Sequence, residues 1–290
     1  MAGTFAKTLE KALGARPVKS RFLDGGDIAD VSRITLDNGQ NIVAKRPRID
    51  QPDTTQIEAK MLAYLRKHSN LPVPDVLHQE NGLLVIEYID NKKPTDTQQA
   101  AESVAEHLSQ LHNVENILNE GFYGFEVDTV IGPLEQHNKL NANWPVFYGE
   151  NRLLAIGDQI ARTGRVNSAF MDKLSLVANK LENFLPKTPK SSLLHGDVWR
   201  GNLLFQDNKV AAFIDPAISY GHKEMDLAFI DLMGGLDAVF FDMYHQISAI
   251  DAGFQEDRKA IYQLWPLLVH IKLFGGGYVQ DAEMILDRFL

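Results

Sequence analysis

The chain has 290 residues, 44% hydrophobic and 23% charged, with a formal net charge of −9 and no cysteine. That length supports one large or two ordinary domains with proper cores, and the acidic balance argues against broad binding to nucleic acid or to anionic membranes. The missing cysteine excludes disulfides, thiolate zinc sites and a cysteine nucleophile. No apolar run approaches the roughly 20 residues of a membrane span, and Met1–Glu10 lacks the apolar stretch of a signal peptide. A cytoplasmic location is the expectation.

In chain order, Thr4–Leu13 reads as a short helix. Ile28–Leu36 and Asn41–Lys45 read as strands joined by Asp37-Asn38-Gly39, a strong hairpin signal. A helix opened by Asp53 or Thr54 runs to Lys67, with Ile57, Met61, Leu62 and Leu65 on one face, and Pro72 and Pro74 close it off. Val76–His78 and Leu83–Ile89 are two more strands around Asn81-Gly82, and the polar Asp90–Asp96 marks a linker. Beyond it Ala100, Val104, Leu108 and Leu111 recur at helical spacing. Phe147–Arg162, Ser168–Leu185, Glu224–Met233, Ala238–Ile247, Arg258–Phe274 and Gln280–Phe289 also read as helices. The expected class is α+β: a small antiparallel β-rich lobe over 1–90 and a larger helical lobe over 91–290. Clefts between such lobes are where ligands sit.

One segment carries the chemistry. Leu193–Pro216 reads L-L-H-G-D-V-W-R-G-N-L-L-F-Q-D-N-K-V-A-A-F-I-D-P. Two short strands, Leu203–Phe205 and Val210–Ile214, flank the turn Gln206–Lys209, so Asn202 and Asp215 come side by side at one end of a hairpin and Asp197 lies on the loop before it. Phosphoryl transfer needs such a layout: one carboxylate to take or orient the attacking hydroxyl, and an amide oxygen with a second carboxylate to hold Mg²⁺ against ATP. The spacing D-x-x-x-x-N matches the catalytic loop of protein kinases, with His-Gly-Asp where they carry His-Arg-Asp and Ile214-Asp215-Pro216 where they carry Asp-Phe-Gly. Asp197 is thus the candidate base and Asn202 and Asp215 the candidate metal ligands. His195 reads as a packed structural residue. Asp226 either holds the loop backbone or serves as a helix N-terminal acid favoured by the dipole.

The nucleotide site follows the same template. Lys45 ends the strand Ile42-Val43-Ala44-Lys45, and Glu58 on the next helix is the expected ion-pair partner, with Asp53 as the competing carboxylate. Gly25 and Gly26 allow backbone N–H groups to approach phosphate oxygens. Glu87, Tyr88 and Ile89 end the last strand before the linker, where backbone groups would meet the adenine edge.

H-G-D-V-W-R-G-N-L-L-F together with F-I-D-P-A-I-S-Y-G-H-K-E-M-D-L-A-F resembles the fructosamine/ketosamine kinase family, in the aminoglycoside-phosphotransferase branch of the protein-kinase-like fold. The blocks 121–138, 144–153, 233–237 and 262–270 are similar to that family as well, so the likeness spans nearly the whole chain. The resemblance implies ATP-dependent phosphorylation of a ketosamine sugar hydroxyl, on a small molecule or a protein, giving an unstable 3-phosphate that frees the amine. It also implies an acceptor pocket lined by Trp199, Asn138, Trp144, Arg152 and His222, with core packing as the competing role for Trp144 and Phe147. Family members with a cysteine in the phosphate loop use it for redox-linked dimerisation; here that loop reads Gly25-Gly26-Asp27-Ile28-Ala29 and such a switch is impossible. Other acceptors, such as an aminoglycoside or choline, and a nucleotide-binding pseudokinase are the alternatives. The latter usually lacks a base or metal ligand, and Lys45, Asp197, Asn202 and Asp215 are all present.

Overall fold

The computed structural model describes residues 3–23, 29–116 and 119–290. Helix α1 (Gly3–Leu13) leads into β1 (Pro17–Phe22), β2 (Ala29–Leu36) and β3 (Asn41–Pro47); helix α2 (Thr55–His68) precedes β4 (Val76–Glu80) and β5 (Leu83–Glu87). The five strands form one antiparallel sheet in the order β1-β2-β3-β5-β4. Period-two alternation divides its residues. Ile34, Leu36, Ile42, Ala44, Leu83 and Val85 turn to one face and bury Leu9 of α1. Val43, Leu84 and Ile86 turn to the other, against Ala59, Met61, Leu62 and Leu65 of α2. Lys45 is in register with Val43 on that second face.

The polar linker is tied down. Lys92 N–H donates to the Phe205 carbonyl (2.8 Å), and Asn208 Oδ1 accepts from the backbone of Thr95 and Asp96. Helix α3 (Thr97–Leu111) follows, then a small hairpin of β6 (Thr129–Ile131) and β7 (Leu134–Gln136) that hydropathy did not reveal. The predicted Phe147–Arg162 helix begins earlier, as α4 (Trp144–Tyr148), passes through a π-helical turn (Gly149–Leu154) and continues as α5 (Ala155–Ala161). Asn143 caps its start, accepting from Val146 N–H at 3.1 Å. Helix α6 (Ser168–Asn179) is followed by β8 (Ser192–Leu194), β9 (Leu203–Gln206), β10 (Lys209–Phe213) and β11 (Ser219–Gly221). β9 and β10 pair through Asp207 and Asn208, whose φ of 46° and 61° give a turn with the twist that a tight hairpin requires. β8 and β11 pair on either side of that hairpin and close the segment into one unit.

Helices α7 (Glu224–Met233), α8 (Ala238–Ile247), α9 (Lys259–Leu273) and α10 (Tyr278–Arg288) complete the chain. Pro266 lies inside α9, where its missing N–H frees the Tyr262 carbonyl. The single proton of the Tyr148 hydroxyl is shared between Ile261 O (2.8 Å) and the freed Tyr262 O (3.2 Å). No helix among the described residues is long and apolar enough to cross a membrane.

Candidate active site

Six of the predicted residues, Lys45, Glu58, Asp197, Trp199, Asn202 and Asp215, meet in one cleft. β3 carries Lys45, which is 7% exposed, and its ammonium lies 2.5 Å from Glu58 Oε1 on α2. The same ammonium pairs with the Asp215 carboxylate. Burial works against a charge on Lys45, but the Asp215 and Glu58 carboxylates outweigh it and hold its pKa above the ordinary lysine value. Asp53, the competing carboxylate, is engaged elsewhere: it accepts from Thr55 N–H (3.0 Å), the Thr55 hydroxyl (2.6 Å) and Gly82 N–H (2.7 Å).

Asp197 is clamped by Asn202. One amide nitrogen donates to both Asp197 O (2.9 Å) and Asp197 Oδ2 (3.0 Å). That uses the donor end of Asn202 and leaves its carbonyl oxygen for a cation. Ile214 N–H donates to the backbone carbonyl of Asn202 at 3.0 Å, which fixes Asp215 beside Asn202. Burial, then the neighbouring Asp215 charge, push the Asp197 carboxyl up to about 7. Asp215 has φ 54°, a left-handed conformation uncommon for a residue with a side chain, and it precedes Pro216, which disfavours the right-handed helical alternative. Its side chain remains 46% exposed toward the cleft. An amide oxygen beside an accessible carboxylate is a hard-oxygen pair that suits Mg²⁺, so the residues present fit the ion that the sequence implied.

The loop around Asp197 is closely packed. Gly196 has φ 83°, and a Cβ there would collide with the Ala217 carbonyl. A Cβ on Gly201 would strike the Trp199 ring, so the glycine lets the indole fold back across the loop. His195 is fully buried; burial lowers its pKa to about 4, and its Nδ1 faces Asp197 N–H at 3.4 Å. It is a neutral packing residue. Asp226, at 1% exposure, accepts from His195 N–H and Gly196 N–H, both at 2.9 Å. Of the two roles open to it, holding the loop backbone is the one the geometry displays.

The cleft is about 480 Å³. Beyond the charged cluster its wall includes Trp199, Phe229, Met233, Phe274 and Tyr278, with the tip of the β6–β7 hairpin at Gly132. The wall residues of α7, α9 and α10 escaped sequence reasoning, because no local pattern says which face of a helix meets a distant loop. At the hinge, the Arg33 guanidinium stacks 4.2 Å above the Tyr88 ring, beside a second cavity of about 630 Å³ that Glu87, Tyr88 and Ile89 help to line. Gly25 and Gly26 lie outside the described residues.

Four predicted acceptor residues belong elsewhere, a correction to the sequence reading. Trp144 is fully buried, donating from Nε1 to the Tyr262 hydroxyl at 2.8 Å. His222, 6% exposed, meets the same hydroxyl at 2.8 Å. Arg152 is fully buried; it donates to His137 O (2.5 Å), Asn138 Oδ1 (2.9 Å) and Ser219 Oγ (3.0 Å), and burial lowers its pKa to about 9. Asn138, 1% exposed, also donates to Thr129 Oγ1 at 2.8 Å. Arg152 and Asn138 knit the β6–β7 hairpin and β11 to the π-helical turn, Trp144 and His222 meet on Tyr262 of α9, and none of the four lines the cleft.

Comparisons with known proteins bear on the family and the fold. The fructosamine kinase family model matches residues 1–290. A protein-ribulosamine 3-kinase of Arabidopsis thaliana chloroplasts is 31% identical, over 92% of this chain and 81% of its own. The crystal structure of a Thermobifida fusca protein assigned as a fructosamine-3-kinase superposes with a TM-score of 0.85 at 29% identity, covering 99% of this chain and 100% of that one. More distantly, the streptomycin–ATP complex of APH(2″)-IIa shares the fold with a TM-score of 0.66 at 14% identity, over 99% and 96% of the two chains. The fold is protein-kinase-like, and the chain belongs to the fructosamine kinase family.

Proposed function

We propose that this cleft transfers the terminal phosphoryl group of ATP to a sugar hydroxyl of a ketosamine, free or carried on a protein amine. The observation that carries the reading is Asp197, clamped by Asn202 in the same cleft as the Lys45–Glu58–Asp215 cluster. A carboxyl near 7 suits a base that must be ionised at neutral pH yet still basic enough to take a proton. As the sugar oxygen bonds to phosphorus its proton passes to Asp197, and ADP departs as the phosphoryl–ADP bond breaks. Lys45, steadied by Glu58, is the cation for the phosphates. Asn202 and Asp215 would hold Mg²⁺, which when bound neutralises charge on the triphosphate. Gly25 and Gly26 would cover the phosphates, and the backbone of Glu87, Tyr88 and Ile89 would receive the adenine. The lobes then divide at the hinge, 1–90 and 91–290.

The wall favours a ketosamine over a polycationic aminoglycoside. Past the charged cluster it is aromatic and apolar, Trp199, Phe229, Met233, Phe274 and Tyr278, which suits the C–H face of a sugar. The product is a ketosamine 3-phosphate that sheds its sugar and regenerates the amine, a deglycation placed in the cytoplasm. ADP release with Mg·ATP against ribulosyllysine, erythrulosyllysine, fructosyllysine, kanamycin and choline tests this. Turnover on one or more ketosamines is expected. Turnover on kanamycin or choline alone would move the protein to another acceptor class, and silence on all five with ATP still bound would make it a pseudokinase.

A further inference from the structure

Helix α2 is held on two sides. Ala59, Leu62 and Leu65 turn to the sheet, and Tyr64 and His68, four residues apart and so on one flank, turn elsewhere. Their rings stack with centroids 4.3 Å apart. Phe125 meets the Tyr64 ring edge-on at 4.7 Å, and the Tyr64 hydroxyl shares a 3.1 Å hydrogen bond with the hydroxyl of Tyr220 on β11. Both partners are buried and themselves fixed. Phe125 N–H donates to the Asn138 carbonyl at 3.1 Å, and the neighbouring Gly124 exchanges two backbone bonds of 2.8 Å with Tyr220. Nearer the start of α2, Val130, Ile131 and Gly132 of the β6–β7 hairpin share the cleft wall with Thr54, Glu58 and Met61. The 121–132 segment thus grips α2 along the turns that carry Glu58 and Tyr64.

We propose that Tyr64 is a positioning residue: through Phe125 and Tyr220 it pins α2 to the helical part of the chain, so that Glu58 stands in place for Lys45 before a nucleotide arrives. The sheet alone does not fix the rotation of α2, because aliphatic contacts are non-directional. A hydroxyl pair anchored on two rings is directional and selects one rotation. Glu58 lies six residues before Tyr64, about 9 Å along the helix axis. A small turn of the helix about that axis carries Glu58 Oε1 off its 2.5 Å contact with Lys45. The effect falls on the phosphate end of the nucleotide, where Lys45 acts, and not on the adenine end at the hinge.

The inference rests on the kinase reading for its nucleotide arm, and a second arm is independent of any ligand. Tyr64→Phe keeps the ring and removes only the hydroxyl. Calorimetry should show its affinity for Mg·ADP lowered about 3–10-fold, the worth of one net hydrogen bond. Adenosine, which has no phosphate for Lys45 to meet, should bind within about twofold of wild type. Tyr220→Phe breaks the same bond from the other side and should lose a similar factor, and the double variant should lose little more than either single one. Hydrogen–deuterium exchange without ligand should show the 55–68 segment exchanging faster in all three variants. Unchanged Mg·ADP affinity with unchanged 55–68 exchange would overturn the proposal. Equal losses for Mg·ADP and adenosine would also overturn it, since they report a general loosening of the fold, and so would losses that simply multiply in the double variant. Should Tyr220→Phe fail to fold, Tyr64→Phe decides through its exchange and its Mg·ADP-to-adenosine comparison. A wild-type protein that binds no Mg·ADP would fail the kinase reading, and exchange at 55–68 would still decide the role of Tyr64.

Discussion

At the scale of single residues, Asp197 and Arg152 show how the same kind of burial leads to opposite roles. Asp197 is partly shielded, raised toward neutrality, and open to the cleft. Arg152 is wholly enclosed, its two terminal nitrogens held by carbonyl, amide and hydroxyl oxygens while Nε has no partner. Asp197→Ala should cut kcat by about 10²–10⁴-fold, the contribution of a positioned proton acceptor, while ADP affinity by calorimetry stays within about threefold. Near wild-type turnover would remove Asp197 from the base role. Arg152→Ala should instead lower unfolding stability by roughly 3 kcal/mol or more, because Asn138 and Ser219 lose partners in a dry site. Denaturant titration reads that loss; an acceptor KM raised several-fold at unchanged stability would return Arg152 to the pocket.

At the scale of elements, local order was legible and long-range order was not. The 193–216 segment could be read because its chemistry is spaced along one hairpin: five residues from Asp197 to Asn202 place both at one end, and the β9–β10 turn at Asp207-Asn208 brings Asp215 back to them. The Lys45–Glu58 pair was readable for a similar reason, a strand end and the first turn of the next helix. The block that contains Trp144, Asn138 and Arg152 points to the pocket, but a block does not say which way a side chain faces. The π-helical turn at Gly149–Leu154 and the β6–β7 hairpin, which set that direction, leave little trace in hydropathy. The role of Asp226 could be narrowed only to two, since its partners are backbone N–H groups of a distant loop.

At the scale of the whole molecule, one apolar cluster runs from Val43 on the sheet to Phe289 near the C-terminus, while a smaller one lies under α1. Titratable groups inside the larger body are met in different ways: Lys45 by carboxylates, Arg152 by neutral oxygens. His195 and His222 are both buried, and burial lowers them to about 4 and about 3. Unfolding returns each to the ordinary histidine value near 6.5, so between that value and their folded values the unfolded chain binds more protons. The contribution of these two histidines is therefore whole above about 6.5 and declines as pH falls toward 4, while Asp197, raised to about 7, takes up its proton first in the folded chain and offsets part of that decline. Melting temperatures across that range should show the decline, and a His222→Gln variant, if folded, should show less of it; a decline of equal size would assign the protons elsewhere.

The measurement that bears most directly on the account is the chemistry of the product. Phosphorus–proton correlation NMR on ribulosyllysine incubated with the enzyme and Mg·ATP should show a phosphate ester on the sugar at carbon 3, formed in step with ADP. The ester should then decay to inorganic phosphate and free lysine. ADP and inorganic phosphate accumulating beside an intact ketosamine, with no ester at any time, would mean that water is the acceptor, and the assignment of this cleft as a ketosamine kinase site would fall.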